Sequence, residues 1–401
     1  MLLRLALPFL LARLWWRGRA EPGYRESVGE RLGLYGGEAP QPLIWIHAVS
    51  VGEARAAEPL VRALAAAAPQ YRILVTCTTA AGRATLKQLY GESVLCAYLP
   101  YDFPETTQAF LEHFKPRLGV LMETEVWPNL LAECARRGVP VVLANARLSE
   151  KSARRYARWR GLAEPAFASL AAVCAQSAED AARLRAAGAR DTRVTGNLKF
   201  DVSPDPAQLA AGRAWRAGLA RPVVLAASTR EGEEKLLVAD WRPEGGALLV
   251  VVPRHARRFD EVARLAQSRR SAQPRPAAAD RVHLGDTMGE MAFYYAACDV
   301  AMIGGSFAPL GGQNLIEALA AGAPAVLGPH MFNFAEATRL ALRAGAARQV
   351  EDAASAMQLA AELLKDLPLR KRMSEAGQKL CEAHRGATER HLDVCRSLLR
   401  L

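Results

Sequence analysis

The residues best equipped for chemistry in this 401-residue chain lie in Asp299-Val-Ala-Met-Ile-Gly-Gly-Ser306 and the following Gly311-Gly-Gln-Asn-Leu-Ile-Glu317. An apolar run ends in one glycine pair, and a second pair opens a helix. Gly304, Gly305, Gly311 and Gly312 let backbone approach a ligand, and the first amides of the helix point at an anion, the geometry of a phosphate site. Gly305 and Ser306 stand on one side of this turn, with Asn314 and Glu317 on the other, where a carboxylate can accept from a ribose diol. Asn314 with Glu317 three residues on also fits a capping box, and the two roles are compatible.

Further chemistry-bearing residues follow apolar runs elsewhere. His47-Ala-Val-Ser-Val-Gly-Glu53 sets Ser50, Gly52 and Glu53 at a helix start. Met122-Glu-Thr-Glu125-Val-Trp-Pro128 holds two carboxylates beside an aromatic ring, and Asn145-Ala-Arg147-Leu-Ser149 adds a cation. Gly196-Asn-Leu-Lys199, Ser228-Thr229-Arg230, Pro253-Arg254-His255 and Asp286-Thr-Met288-Gly289-Glu290 complete the set. Each alone also has a structural reading: Glu53 suits the dipole of a first helical turn, and Arg254 suits a surface.

Positioning these groups requires strands that end where the groups begin. Apolar runs at Leu43 to Val49, Arg72 to Thr76, Val94 to Leu99, Leu118 to Met122, Pro140 to Ala144 and Ala171 to Ala175 alternate with helix-period segments. A second series runs Pro222 to Ala227, Ala247 to Val252, Val300 to Gly304 and Ala323 to Leu327. The alternation predicts βαβ units, a mostly parallel sheet in each series and helices on both faces. Asp201-Val-Ser-Pro-Asp-Pro206 reads as a linker, Arg269 to Ala279 as a surface loop, and Pro368 to Leu401 as helix bracing both halves. The expected division is a helix over 1–20, one α/β domain over 21–205 and another over 206–401.

Composition narrows the function. A net charge of +11 without a basic tail or basic-aromatic interleaving favours acidic lipid or an anionic substrate over nucleic acid. Seven scattered cysteines without a C-x-x-C pair fit reduced thiols in the cytoplasm. Met1 to Trp16 is apolar apart from Arg4 and Arg13, too short to span a bilayer and interrupted as a signal peptide. It reads as an interfacial helix, its tryptophans at headgroup depth, with Arg17, Arg19 and Arg25 pointing to the cytoplasmic face. The chain lacks G-x-x-x-x-G-K-[ST], H-E-x-x-H, G-x-S-x-G and Asp-x-Asp.

Taken in order, W-I-H-A-V-S-V-G-E, M-E-T-E-V-W-P-N-L, N-A-R-L-S-E, G-N-L-K-F-D, V-V-P-R-H, G-D-T-M-G-E, G-G-S-F-A-P-L-G-G-Q-N-L-I-E and G-P-H-M-F-N-F resemble the 3-deoxy-D-manno-octulosonic acid (Kdo) transferases of Gram-negative bacteria. The likeness runs from about Arg13 to Phe334; the C-terminal helical region shares only the family's general character. The resemblance implies a GT-B glycosyltransferase, two Rossmann-like domains facing across a cleft. It implies inverting transfer of Kdo from CMP-Kdo to the tetraacyl lipid A precursor at the inner membrane, with no metal and no cofactor.

By the same resemblance, Glu53 is the base that takes the acceptor's proton, and Glu125 positions the acceptor or tunes Glu53, in either order of roles. Ser50, Gly52 and Arg147 fall to the acceptor. The amides around Gly305 and Ser306, the turn from Gly311 to Asn314 and Arg254 are candidates for the donor phosphate, and Ser228, Thr229, Pro253 and His255 join the donor-binding set. Asn314 and Glu317 take the ribose, Met288 to Glu290 the cytosine, and Lys199 or Arg230 the Kdo carboxylate. Gln313 departs from the histidine common at that position, so acid-base chemistry there is lost. A UDP-sugar epimerase or heptosyltransferase would share the architecture, and a non-catalytic lipid or nucleotide binder is the alternative of another class; nucleotide preference and the effect of Glu53→Ala separate them.

Overall fold

The computed structural model describes residues 7–19, 21–201, 203–241 and 246–400. Its chain forms two compact units, one of residues 1–201 with 385–401 and the other of residues 202–384.

The first unit is built on strands β1 (Leu43–His47), β2 (Arg72–Cys77), β3 (Leu95–Tyr98), β4 (Leu118–Met122), β5 (Val141–Ala146), β6 (Ala172–Ala175) and β7 (Thr192–Val194). They form one parallel sheet in the order β3-β2-β1-β4-β5-β6-β7. Strand β1 is buried on both faces because successive side chains point to opposite sides. Ile44 and Ile46 pack into one core, which also takes Leu392 and Cys395 of the C-terminal helix Ala387–Leu399. Leu43 and Trp45 pack into the other, with Phe110, Leu131 and Phe167. The return of the chain end to complete this first core is why residues 385–401 belong to the first unit.

The second unit carries β8 (Val223–Thr229), β9 (Leu248–Pro253), β10 (Ser268–Arg269), β11 (Val282–Leu284), β12 (Val300–Ile303), β13 (Ala325–Leu327) and β14 (Ala347–Gln349). Their order is β10-β11-β9-β8-β12-β13-β14, again all parallel. Val224, Ala226, Leu249, Val251, Val300 and Met302 form its core with the helix Ala353–Lys365.

Each sheet reverses its strand order once, between β1 and β4 in the first and between β8 and β12 in the second. In open α/β sheets the carboxyl ends of the strands flanking such a switch point are where ligands bind. Glu53 follows β1 and Glu125 follows β4, while Arg230 follows β8 and Gly305 follows β12.

Four strands differ from the sequence expectation. Strands β7, β10, β11 and β14 lie toward the sheet edges and are two or three residues long, too short to give a periodic signal. Arg269, expected in a surface loop, is in β10 and pairs with the buried Asp286. In the expected linker, Asp201 accepts hydrogen bonds from Gly386 N and Thr388 N, and Asp205 caps the helix Pro206–Ala217. Of the expected N-terminal helix, residues 1–6 and 20 lie outside the described residues, and Leu7–Arg17 is helical. Among the described residues, no helix is long and apolar enough to cross a membrane.

Candidate active site

In the first unit, Glu53 sits in the opening turn of the helix Val51–Ala67. Ser50 is the N-cap but its side chain makes no cap bond. Glu53 supplies the satisfaction instead: Oε2 accepts from Val49 N at 3.0 Å and Oε1 from Ser50 Oγ at 3.3 Å. The structural and chemical readings of this residue therefore coexist. Burial raises its pKa, the Val49 amide opposes that rise, and the charges of Glu123 and Glu125 add to it, with the Ser50 hydroxyl opposing; the result is about 7. A carboxyl titrating there is poised to act as a base near neutrality.

The neighbouring carboxylates differ from one another. Glu125 is raised by burial, opposed by the indole of Trp127, whose Nε1 donates to Oε2 at 2.9 Å, and raised further by Glu123. Glu123 is buried, with φ 55°, a conformation that costs a non-glycine residue about 1–3 kcal/mol. Burial pushes its pKa up, yet Lys199 Nζ at 3.1 Å and Arg147 Nε at 2.9 Å together hold it below the usual value. Glu123 is thus a permanent negative charge beside Glu53. Reading the sequence singled out Glu125 as the second carboxylate; the anchoring role of Glu123 depends on a lysine far along the chain and has no local signature.

His47, at the end of β1, is fully buried, and burial lowers its pKa to about 3 despite the Thr76 carbonyl. Its Nδ1 lies 2.9 Å from Thr76 Oγ1, which also accepts from Trp45 Nε1. A neutral imidazole locked in this way positions the strand end and does not carry protons at neutral pH.

In the second unit, Ser228 has φ 53° where the β8–β9 register shifts between Ala227 and Thr229. This bulge turns the chain so that Thr229 Oγ1 donates to Glu234 at 2.7 Å. Glu234, itself buried, is held by Arg258 through Nη1 at 2.5 Å and Nη2 at 3.0 Å. Buried Glu233 accepts three backbone donors: Arg230 N at 2.8 Å, Gly305 N at 2.7 Å and Phe307 N at 3.0 Å. One carboxylate thereby staples the end of β8 to the end of β12. A Cβ on Gly304 would lie 2.6 Å from Ser228 O, so only glycine lets these strand ends meet.

These contacts revise the phosphate expectation. The Gly305 amide is already bonded to Glu233, and Ser306 is buried with its hydroxyl donating to Ile303 O and accepting from Gly328 N. The Gly305 amide and the Ser306 hydroxyl are thus committed within the protein, where they shape the turn. At the end of β9, His255 is held below its ordinary pKa by partial burial and by the guanidinium groups of Arg230, Arg254 and Arg257 around it. Arg230 is anchored by Glu231 at 3.1 Å.

Asn314 caps the helix Leu315–Ala321, accepting from Ile316 N at 3.1 Å, and its amide donates to Glu317 Oε1 at 2.9 Å. Glu317 thus meets the cap side chain one turn into the helix. Met288 is exposed, Gly289 has φ 80°, and Glu290 accepts from Arg270 Nε at 3.0 Å and from Thr287 Oγ1. Lys199, a candidate for the Kdo carboxylate, lies in the first unit and pairs with Glu123 at 3.1 Å. Arg147 joins it there, while Pro253 and His255 lie with Arg254 at the end of β9.

Comparison with known proteins addresses the chain's family. Residues 26–202 match the model of the 3-deoxy-D-manno-octulosonic-acid transferase (kdotransferase) family. The 3-deoxy-D-manno-octulosonic acid transferase of Bordetella pertussis is 48% identical over 98% of this chain and 96% of its own length. This chain belongs to the Kdo transferase family. It is a glycosyltransferase. The Haemophilus influenzae transferase of the same name is 35% identical over 99% of this chain and 97% of its own.

Solved structures extend the likeness to the fold. Staphylococcus aureus MnaA with UDP has a TM-score of 0.59 at 17% identity, over 90% of this Kdo transferase and 98% of that chain. A Rickettsia africae glycosyltransferase has a TM-score of 0.58 at 12% identity, over 90% and 99%. The paired parallel α/β sheets of this Kdo transferase are the GT-B architecture.

Proposed function

We propose that this Kdo transferase moves Kdo from CMP-Kdo to a hydroxyl of the tetraacyl lipid A precursor (lipid IVA), inverting the ketosidic carbon and using no metal or other cofactor. It works at the cytoplasmic face of the inner membrane. The observation that carries the reading is Glu53, a carboxyl whose surroundings bring its titration to neutrality at a switch-point loop.

An alcohol does not ionise unaided at neutral pH. Deprotonated Glu53 takes its proton as the oxygen attacks, a contribution typically of roughly 10²- to 10⁴-fold. Glu123 and Glu125 keep the acquired proton on Glu53 by disfavouring its charge. Arg147, beside them, serves the acceptor. At the donor, the ketosidic carbon acquires oxocarbenium character as the bond to CMP lengthens. Arg254 and Arg230 offset the charge growing on the departing phosphate or hold the Kdo carboxylate, as guanidinium forks do well. This cationic set is what supports a reaction without a metal. Asn314 and Glu317 receive the ribose, and Met288 to Glu290 the cytosine. The exposed Phe9, Trp15 and Trp16 on the helix Leu7–Arg17 support attachment to a membrane surface.

The test is transfer from freshly generated CMP-Kdo to the tetraacyl precursor, resolved by product mass, with and without a chelator. Product whose formation is unaffected by the chelator is expected, and its mass increment counts the Kdo units added. Absence of product from folded protein that binds CMP would overturn the donor-acceptor pair. Stronger competition by UDP than by CMP would move the donor to the nucleotide carried by MnaA.

A further inference from the structure

The parallel strands of the first unit end along one sheet edge, and the sheet order fixes what stands where on it. Residues of the N-terminal segment meet the edge at β2 and β3: Tyr98 Oη donates to Gly23 O at 3.0 Å, and Gly23 faces Ala80 just after β2. Glu53 follows β1, and Glu123 with Glu125 follows β4. Beyond them, β5 leads through Arg147 into the helix Glu150–Arg158.

That helix buries none of its residues fully. Its apolar side chains Ala153 and Tyr156 pack inward, Tyr156 against Phe167 with ring centroids 5.3 Å apart. The outward side carries Lys151, Arg154, Arg155 and Arg158, and the chain then turns through Trp159 and Arg160 into the helix Arg160–Ala168. Trp159 is 69% exposed and Leu162 61% exposed. Residues 150–160 hold five cations against one carboxylate, Glu150. Arg154 pairs with Glu150 and Arg160 with Glu164, whereas no ion pair among the described residues engages Lys151, Arg155 or Arg158. A large indole and a leucine in water, directly following a helix face with three unpaired cations, match a bilayer interface with anionic headgroups: the ring enters the headgroup layer and the cations meet phosphates.

We infer that Lys151 to Leu162 is a second membrane contact, docking the first unit on an anionic lipid bilayer across the carboxylate site from the N-terminal helix. This rests on the proposed acceptor being lipid-borne. With contacts at both flanks, a headgroup emerging from the bilayer is presented to Glu53 between them.

The full chain should be tested for sedimentation with vesicles of equimolar phosphatidylethanolamine and phosphatidylglycerol, and with vesicles of phosphatidylcholine alone. Lys151→Gln/Arg155→Gln/Arg158→Gln should weaken binding to the anionic vesicles by about tenfold or more, given the attraction expected per cation, and flatten its salt dependence. Trp159→Ala/Leu162→Ala should weaken binding to both vesicle types. Because all five side chains are exposed, matched melting curves would establish that the variants fold. Transfer to acceptor embedded in anionic vesicles should fall in parallel, while transfer to acceptor dispersed in detergent stays at the wild-type rate. Wild-type vesicle binding by both variants would overturn the inference, as would an equal loss of rate in detergent, which would make this helix part of the acceptor pocket. Failure of the wild type to transfer in detergent would instead count against the proposed reaction, leaving the vesicle result to decide the contact.

Discussion

At Glu53 opposing influences meet on one carboxyl. Burial and the charges of Glu123 and Glu125 raise its pKa, the Val49 amide and Ser50 hydroxyl lower it, and the balance falls at about 7. A base must be ionised to act, so kcat/KM is expected to rise with pH along an acid limb centred near 7. Glu125→Gln removes one of the raising charges and should move that limb to lower pH in the same assay. The linkage for stability has the opposite sense: the folded state keeps a proton on Glu53 that the unfolded chain has lost between its ordinary pKa of about 4.3 and 7. Glu53 therefore costs stability as pH rises through that window. Glu53→Gln should melt higher than wild type at pH 8 and show no such gain at pH 4; an equal effect at both would contradict a raised pKa. The motif holding Glu53 was legible in the sequence because it follows an apolar run and opens a helix. The partners that tune it were not, since Glu123 is tied to Arg147 and Lys199 from separate loops, and pattern along the chain does not report contacts across it.

Among the elements, the end of β8 and the end of β12 depend on Glu233, which accepts from Arg230, Gly305 and Phe307 amides while almost fully buried. Glu233→Ala would leave these backbone donors without their carboxylate, at about 1–3 kcal/mol for each that water cannot reach. A lower urea midpoint is expected, together with weaker CMP binding in titration calorimetry; unchanged CMP affinity would show that the staple does not shape the donor loop. Gly304→Ala should act in the same direction, because its Cβ would fall 2.6 Å from the Ser228 carbonyl. The central strands of both sheets were legible because strands covered on both faces are continuous apolar runs, as in Leu118–Met122. The edges were not. Strand β7 has one buried residue in three and β14 likewise, so their place comes from pairing with a neighbour, not from composition. Nothing in Arg230-Glu-Gly-Glu-Glu-Lys235 singles out Glu233 and Glu234, whose interior place depends on partners across the fold.

The first unit is tied together in an order that differs from the chain's sequence. His391, near the C-terminus, accepts from Asn145 N through Nε2 at 2.9 Å and donates from Nδ1 to Ala387 O at 2.6 Å, while Asp201 receives Gly386 and Thr388. Burial holds the His391 pKa down at about 4, which keeps its Nε2 free to accept. Removal of residues 386–401 should therefore raise hydrogen exchange in β4 and β5 of the first unit and leave β8 and β12 protected; protection lost in the second sheet instead would contradict the assignment of the chain end to the first unit. The two halves and a bracing C-terminal helix were legible in the sequence; which strands its last residues meet was not, because those contacts join positions far apart along the chain. In the proposed reaction the rate rests on Glu53. The most direct measurement is single-turnover transfer of Kdo from CMP-Kdo to the tetraacyl precursor by wild type and Glu53→Gln between pH 5 and 9, with CMP affinity measured for both. The account predicts a rate at least about 10²-fold lower in the variant, with its acid limb abolished and its CMP affinity unchanged. A variant that keeps the wild-type rate and pH profile would contradict it.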